Sequence, residues 1–161
     1  MSQKTAKRKR YRYYLIGSFV LILLIVLGVF EIFSQFSVVN RYLDNRFSYS
    51  YSDAEQYFYD RYSLFTEELK LLQLENPNNE AMRLMIIESQ QNCSLSEYDF
   101  LDYSFSFLSP QIQVKVVADY YENLTDLHYS RTYTLNFILQ KKSLFTYKIA
   151  DIINNEAHSH Q

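Results

Sequence analysis

The chain of 161 residues has almost no glycine, cysteine or proline, and no tryptophan. Its two glycines, Gly17 and Gly28, both lie in an apolar stretch near the N-terminus, so residues 29–161 contain none. Loops that cradle phosphate need glycine where the backbone turns left-handed or approaches a ligand closely. Walker and dinucleotide fingerprints are therefore excluded, as is a G-x-S-x-G nucleophile turn. One cysteine, Cys93, excludes an intramolecular disulfide and a cysteine-based zinc cluster. It reads as a small apolar side chain. What the chain has in excess is aromatic surface: 16 Tyr and 12 Phe.

Charge is distributed unevenly. Residues 1–12 carry Lys4, Lys7, Arg8, Lys9, Arg10 and Arg12 and no acid. Tyr13 to Phe30 follows, 18 residues without a charge. At about 1.5 Å per residue that run covers roughly 27 Å of a hydrocarbon core about 30 Å thick. Ile32 and Phe33 complete it, with Glu31 at headgroup level. Tyr11, Tyr13 and Tyr14 suit one interface, Phe30 and Phe33 the other. The positive flank is expected to stay cytoplasmic. Beyond residue 33 lie 10 Lys and Arg against 17 Asp and Glu, a net charge of −7. The expected plan is a basic cytoplasmic stub (1–12), a transmembrane helix (13–33), an extracytoplasmic domain (34–155) and a flexible tail (156–161). A cleaved signal peptide is the rival reading. The apolar run exceeds the usual h-region, and EIFSQF after it offers no small-x-small cleavage site.

The distal part divides into a helical half and a strand half. Phe36, Val39, Leu43 and Phe47 share one helical face, so the membrane helix can run on into this segment. Ser52-Asp53-Ala54-Glu55 reads as a capping box opening a helix to about Leu74. Ala54, Tyr57, Phe58, Phe65, Leu69 and Leu72 form its apolar stripe. Asn76-Pro77 ends it, and a shorter helix is expected from Glu80 to Gln90, with Met82, Leu84, Met85 and Ile86 as core candidates.

From residue 95 the period becomes two. Leu101, Tyr103, Phe105 and Phe107 alternate with polar residues. Ile112, Val114, Val116, Ala118 and Tyr120 do the same, then Tyr133, Leu135, Phe137 and Leu139, and finally Phe145, Tyr147 and Ile149. Lys141-Lys142-Ser143 is expected to turn the chain between the last two strands. Four one-sided strands with short connections predict an antiparallel sheet covered on one face by the preceding helices. The fold class is α+β: two or three helices on a curved four-stranded antiparallel sheet.

YSRTYTLNFILQKKSLFTYKIADII resembles the closing hairpin of the nuclear-transport-factor-like (NTF2-like, cystatin-like cone) superfamily, with Tyr147 where Trp is usual. The helix-then-strand order over 34–155 is similar too. A basic stub, one span and an outer cone resemble, in layout, the single-pass assembly subunits of conjugation and type IV secretion machines. That resemblance implies a non-enzymatic protein-binding subunit without cofactor. Its expected partners are other membrane or secreted proteins, including a second copy of the chain, and lipid around the N-terminal helix. Small membrane-anchored immunity proteins are similar in layout and imply a tethered inhibitor of a basic toxin or enzyme. Some cones of the superfamily are enzymes or ligand carriers, which is the third reading. Nucleic acid is not expected, because the one basic cluster is the stub.

Few residues suggest chemistry. Asp126 and His128 share a loop without a marked nucleophile. His158 and His160 make only a two-ligand terminal pair. Asn92 and Asn123 match the glycosylation pattern, relevant only in a eukaryotic secretory pathway. Arg61 falls near the middle of an apolar helical stripe. It implies a buried charge paired with Glu68 or Asp151, a side chain snorkelling to the rim, or an anion site inside the cone. A bulge near Ile152 would turn Asp151 outward instead. Tyr49, Tyr51 and Tyr59 are the candidate partner-binding residues, since tyrosine combines an apolar ring with a polar tip. Tyr59 lies on the polar side of its helix.

Overall fold

The computed structural model describes residues 3–155, with side chains for 13–154. The first helix, α1 (Gln3–Phe47), is 45 residues long and unbroken. Its Tyr13–Phe47 portion is long and apolar enough to cross a membrane. Side chains from Tyr13 to Phe30 are exposed, whereas Val39, Leu43 and Phe47, four residues apart, are buried against the sheet. One helix thus has an outward-facing apolar half and a half that builds the domain core.

A 3₁₀ turn (Tyr51–Asp53) leads into α2 (Ala54–Tyr62), α3 (Glu67–Glu75) and α4 (Pro77–Glu88). The single helix expected over 52–74 is two helices. At Leu64–Thr66 the chain pairs with the last strand. Thr66 N–H donates to the Ile149 carbonyl and Ile149 N–H to the Leu64 carbonyl, each at 2.9 Å. Thr66 then caps α3, its Oγ1 accepting from Leu69 N–H at 3.3 Å. A strand edge offering free backbone groups outcompetes helix continuation here. The redirection leaves Leu72 exposed. The capping box is absent too: Ser52 Oγ donates to Ser50 Oγ, and Glu55 faces Arg83. Asn76 does more than end a helix. It caps α4, with Pro77 in the first turn, so α4 begins three residues earlier than expected. Of its four core candidates only Ile86 is buried; Met82 is half-buried, and Leu84 and Met85 are exposed.

The strands β1 (Gln91–Ser104), β2 (Gln111–Glu122), β3 (Leu127–Ser143) and β4 (Thr146–Asn155) form one antiparallel sheet in sequence order. Helices cover one face, which is the α+β arrangement expected. Ile112, Val114, Val116 and Ala118 of β2, Leu135, Phe137 and Leu139 of β3, and Tyr147 and Ile149 of β4 are all buried. β1 departs from its clean alternation. Register shifts at Ser96 and Leu101 change which face its side chains meet. Leu101 is therefore exposed, and Phe105 and Phe107 fall in the exposed β1–β2 connection.

The join between α1 and the sheet is made by Glu31, which is only 4% exposed. Its carboxylate accepts from Lys141 Nζ, from Tyr147 Oη at 2.9 Å and from Phe145 N–H at 3.1 Å. Phe30 packs on Phe145, ring centroids 6.0 Å apart. Contacts with the sheet therefore begin at Phe30 and Glu31, inside the segment assigned to the span. The β3–β4 turn falls at Leu144-Phe145, just past the Lys141-Lys142-Ser143 expected. Phe145 sits at φ 57°, a left-handed conformation unusual for a bulky residue. Its bonded amide and packed ring hold it there.

Removing one partner of a buried, hydrogen-bonded pair costs about 3–5 kcal/mol. Glu31→Ala should lower the thermal midpoint of the detergent-solubilised full chain, as should Lys141→Ala. The double exchange Glu31→Lys with Lys141→Glu should recover part of the loss over Glu31→Lys alone. Equal midpoints for single and double exchanges would remove the pairing from the account.

Candidate functional site

Arg61, on α2, is 1% exposed. Its guanidinium is caged by aromatic rings: the carbon centre lies 4.6 Å from the Phe58 centroid, 5.3 Å from Tyr62 and 5.5 Å from Tyr57. Its polar contact, Nη1 to Tyr57 Oη at 3.5 Å, is at the outer limit of a hydrogen bond, and Nε and Nη2 have no partner. Neither suggested carboxylate reaches it. Glu68 is exposed on α3, because the break at Leu64–Thr66 rotates that helix away from the α2 stripe. Asp151 is exposed because the β3–β4 register skips Ala150, pairing Leu139 with Ile149 and Ile138 with Asp151. That bulge turns Asp151 outward and Ile152 toward the core. Stacking on ring faces replaces the ion pair.

Tyr49 and Tyr51 are half-buried and make structural bonds. Tyr49 exchanges two backbone hydrogen bonds with Cys93, and its hydroxyl donates to Gln91 Oε1 at 2.9 Å. Tyr51 N–H donates to Asn92 Oδ1 at 3.2 Å. Together they tether the loop after α1 to the start of β1. The neighbouring interior is rich in hydroxyls: Tyr57 Oη donates to the Arg46 carbonyl at 2.8 Å, and Tyr120 and Tyr133 hydroxyls share a bond of 2.9 Å. Burial raises the Tyr49 and Tyr120 phenols above their ordinary value and pushes Tyr57 up to about 12. Burial likewise pushes the Cys93 thiol up to about 12, so it stays protonated and inert at neutral pH.

Tyr59 is the exposed candidate, at 70%. It borders a groove of about 250 Å³ between α2, α3 and α4. Phe58, Tyr62 and Leu74 supply its apolar wall, Gln73, Asn79 and Arg83 its polar one. Arg83 clamps the rim, donating to Glu80 at 2.6 and 2.9 Å and to Glu55 at 3.1 Å. These bonds hold the Glu80 carboxyl below the usual carboxylate range. Asn79 Nδ2 donates to the Gln73 carbonyl at 2.7 Å and to its side chain at 2.9 Å, tying α3 to α4. Leu71, Leu72 and Leu74 of α3 and Leu84 and Met85 of α4 add further exposed apolar surface. The geometry suits a peptide or side-chain contact. Tyr59 stands out in the sequence, whereas Arg83 and Leu74 join the groove only through the packing of α3 and α4. The Glu80-x-x-Arg83 spacing on one helix face is the signal that was available. Glu31 had a signal too, as the acid that interrupts the apolar run.

The remaining candidates are peripheral. Asp126 and His128 lie at the β2–β3 turn, both exposed; Tyr121 Oη donates to Asp126 at 3.3 Å, and the His128 ring stacks on Tyr121. His158 and His160 lie outside the described residues. Asn92 is half-buried and bonded, while Asn123 is exposed. The concave sheet face is filled by Leu43, Phe47, Ile112, Val114, Phe137 and Leu139, all at or near zero exposure.

No family model and no curated protein sequence matches the chain. Solved structures do match in shape. An IcmL-like type IV secretion system protein from Legionella pneumophila superposes with a TM-score of 0.59 at 8% identity, covering 78% of this chain and 92% of that one. The Agrobacterium tumefaciens VirB8 protein gives 0.57 at 12% identity over 81% and 96%. An Ntf2-like protein involved in plasmid conjugation gives 0.50 at 12% identity over 78% and 49%. At these identities the likeness is one of fold: the domain shares the α+β fold of these structures, one of them an Ntf2-like protein, which is the fold class the sequence predicts.

Two outcomes follow for the interior. Arg61→Met leaves no carboxylate behind and removes a buried charge, so the thermal midpoint should hold or rise. A marked fall would show that the ring contacts outweigh desolvation. The raised phenols favour the neutral form in the fold. Their stabilisation is complete below about pH 10, the ordinary tyrosine value. It is lost above that pH, for Tyr57 through about 12. Phenolate absorbance should therefore show a late phase coincident with loss of circular dichroism. A titration complete before unfolding begins would contradict this.

Proposed function

We propose that this is a non-enzymatic, membrane-anchored assembly subunit of a secretion or conjugation machine. Its extracytoplasmic NTF2-like domain binds protein partners through the Tyr59 groove. Residues 13–33 span the membrane, the basic stub 1–12 stays cytoplasmic, and residues 34–155 form the exported domain.

The observation that carries this reading is the continuity of α1. A single helix passes without a break from an exposed apolar run into the core of a cone-shaped domain. The domain's likeness to a type IV secretion system protein and to a protein involved in plasmid conjugation supports the machine context. The packed concave face supports a binding role over ligand carriage or catalysis, both of which need a roomy pocket with a poised group. Tyr59, an exposed aromatic beside a groove with a fixed rim, has the character of an interface anchor. Tyr49 and Tyr51, committed to internal bonds, serve the fold instead.

A photo-crosslinking residue placed at Tyr59 in native membranes should capture a discrete protein partner. The same residue at Lys115, exposed on the other sheet face, should not. Tyr59→Ser should reduce partner recovery without lowering the thermal midpoint. Equal capture at both positions, or none at Tyr59, would reject the groove. Capture of a single basic partner that is lost at high salt would favour the tethered-inhibitor reading instead.

A further inference from the structure

The end of the domain nearest Glu31 presents apolar loop tips to the outside. Leu108 is 68% exposed in the β1–β2 connection and Leu144 is 65% exposed at the β3–β4 turn. Phe105 and Phe107 are exposed beside Leu108, as is Phe33 on α1. Scattered exposed side chains need no explanation, but these come from three separate segments brought to one level.

That level is set by bonds. Tyr147 Oη contacts both Glu31 Oε1, at 2.9 Å, and the Phe107 carbonyl, at 3.2 Å. Lys141 N–H donates to the Leu108 carbonyl at 3.0 Å, and Lys141 Nζ lies 3.5 Å from the Phe107 ring centroid while paired with Glu31. Phe30 packs on Phe145, next to Leu144. Both loops therefore sit at the height of Glu31, the residue that follows the uncharged run. That run covers about 27 Å of a core about 30 Å thick, so a spanning α1 is immersed at least to Phe30. Loop tips at the height of Glu31 then meet the acyl–headgroup boundary.

We infer that Phe105, Phe107, Leu108 and Leu144 insert into the outer leaflet interface, so that the domain sits on the membrane instead of projecting freely from it. The inference rests on the anchored reading of α1. Its occupant is lipid because the apolar rim is continuous with the apolar helix. The same arrangement accounts for an acid at that depth: Glu31 is paired with Lys141 and shielded by Tyr147, so no bare charge meets the bilayer. Exposed Lys142, in the same hairpin, can reach lipid phosphate as its stem lies along the rim. Seating at three segments fixes the tilt of the domain, and hence where the α2–α4 groove faces.

The absence of tryptophan makes the test clean. Single substitutions Leu108→Trp, Leu144→Trp, Leu124→Trp and Val20→Trp would be made in the full chain, reconstituted in phosphatidylcholine–phosphatidylglycerol nanodiscs with lipids brominated near the headgroup or deep in the acyl chain. Leu124 is equally exposed but lies at the β2–β3 turn, the far end of the strands. Leu108→Trp and Leu144→Trp should emit at shorter wavelength than Leu124→Trp and be quenched by the shallow bromines. Quenching no greater than that of Leu124→Trp, with Val20→Trp strongly quenched, would overturn the seating and leave the anchor intact. An unquenched Val20→Trp would overturn both.

Discussion

A single carboxylate ties the two halves of this molecule together. Glu31 lies where the uncharged run of α1 ends and its contacts with the sheet begin, and it bonds to the hairpin that closes the sheet. Placing an acid there is costly without partners; Lys141, Tyr147 and the Phe145 amide supply them. The consequence is geometric. The domain does not hang from its helix on a flexible linker, because the helix is itself part of the domain. Val39, Leu43 and Phe47 continue the same α1 into the core, so the helix axis sets the orientation of the sheet.

The scarcity of glycine gives this join a second role. Three positions in the described chain adopt left-handed backbone without glycine: Gln90 after α4, Asp126 in the β2–β3 turn and Phe145 in the β3–β4 turn. Asp126 belongs to a residue type that tolerates the conformation, and Gln90 follows the end of a helix, where it is common. Phe145 is the bulky exception, and its amide is the one that Glu31 engages. The α1–sheet contact therefore also holds the strained turn in place.

Aromatic residues divide between two tasks. Most tyrosines of the helical half are buried or half-buried, bonding to backbone and side-chain groups or surrounding the Arg61 guanidinium with ring faces. Tyr59 and the rim aromatics around Phe107 stay outside. The groove beside Tyr59 lies on the α2–α4 side, and the apolar rim lies where α1 enters the domain.

Charge asymmetry, the apolar run and the change of period near residue 95 were enough to place one long helix, further helices and a four-stranded antiparallel sheet. Those signals are local, because side chains repeating every two or 3.6 residues share a face whatever they pack against. The β2, β3 and β4 core residues could be read this way. The rest could not. Thr66 leaves a helical pattern because β4 presents an unpaired edge far away in sequence. The Ser96 and Leu101 irregularities change the facing of β1 in a way no alternation reveals. Asp151 turns outward because the pairing skips Ala150. Arg61 is enclosed by rings and meets neither of the two carboxylates considered for it, since the break before α3 turns Glu68 outward and the β4 bulge does the same to Asp151. The Glu31–Lys141 pair joins residues 110 positions apart. Facing could be inferred from spacing along the chain, whereas partners were chosen only when distant backbone edges and buried charges had to be satisfied together.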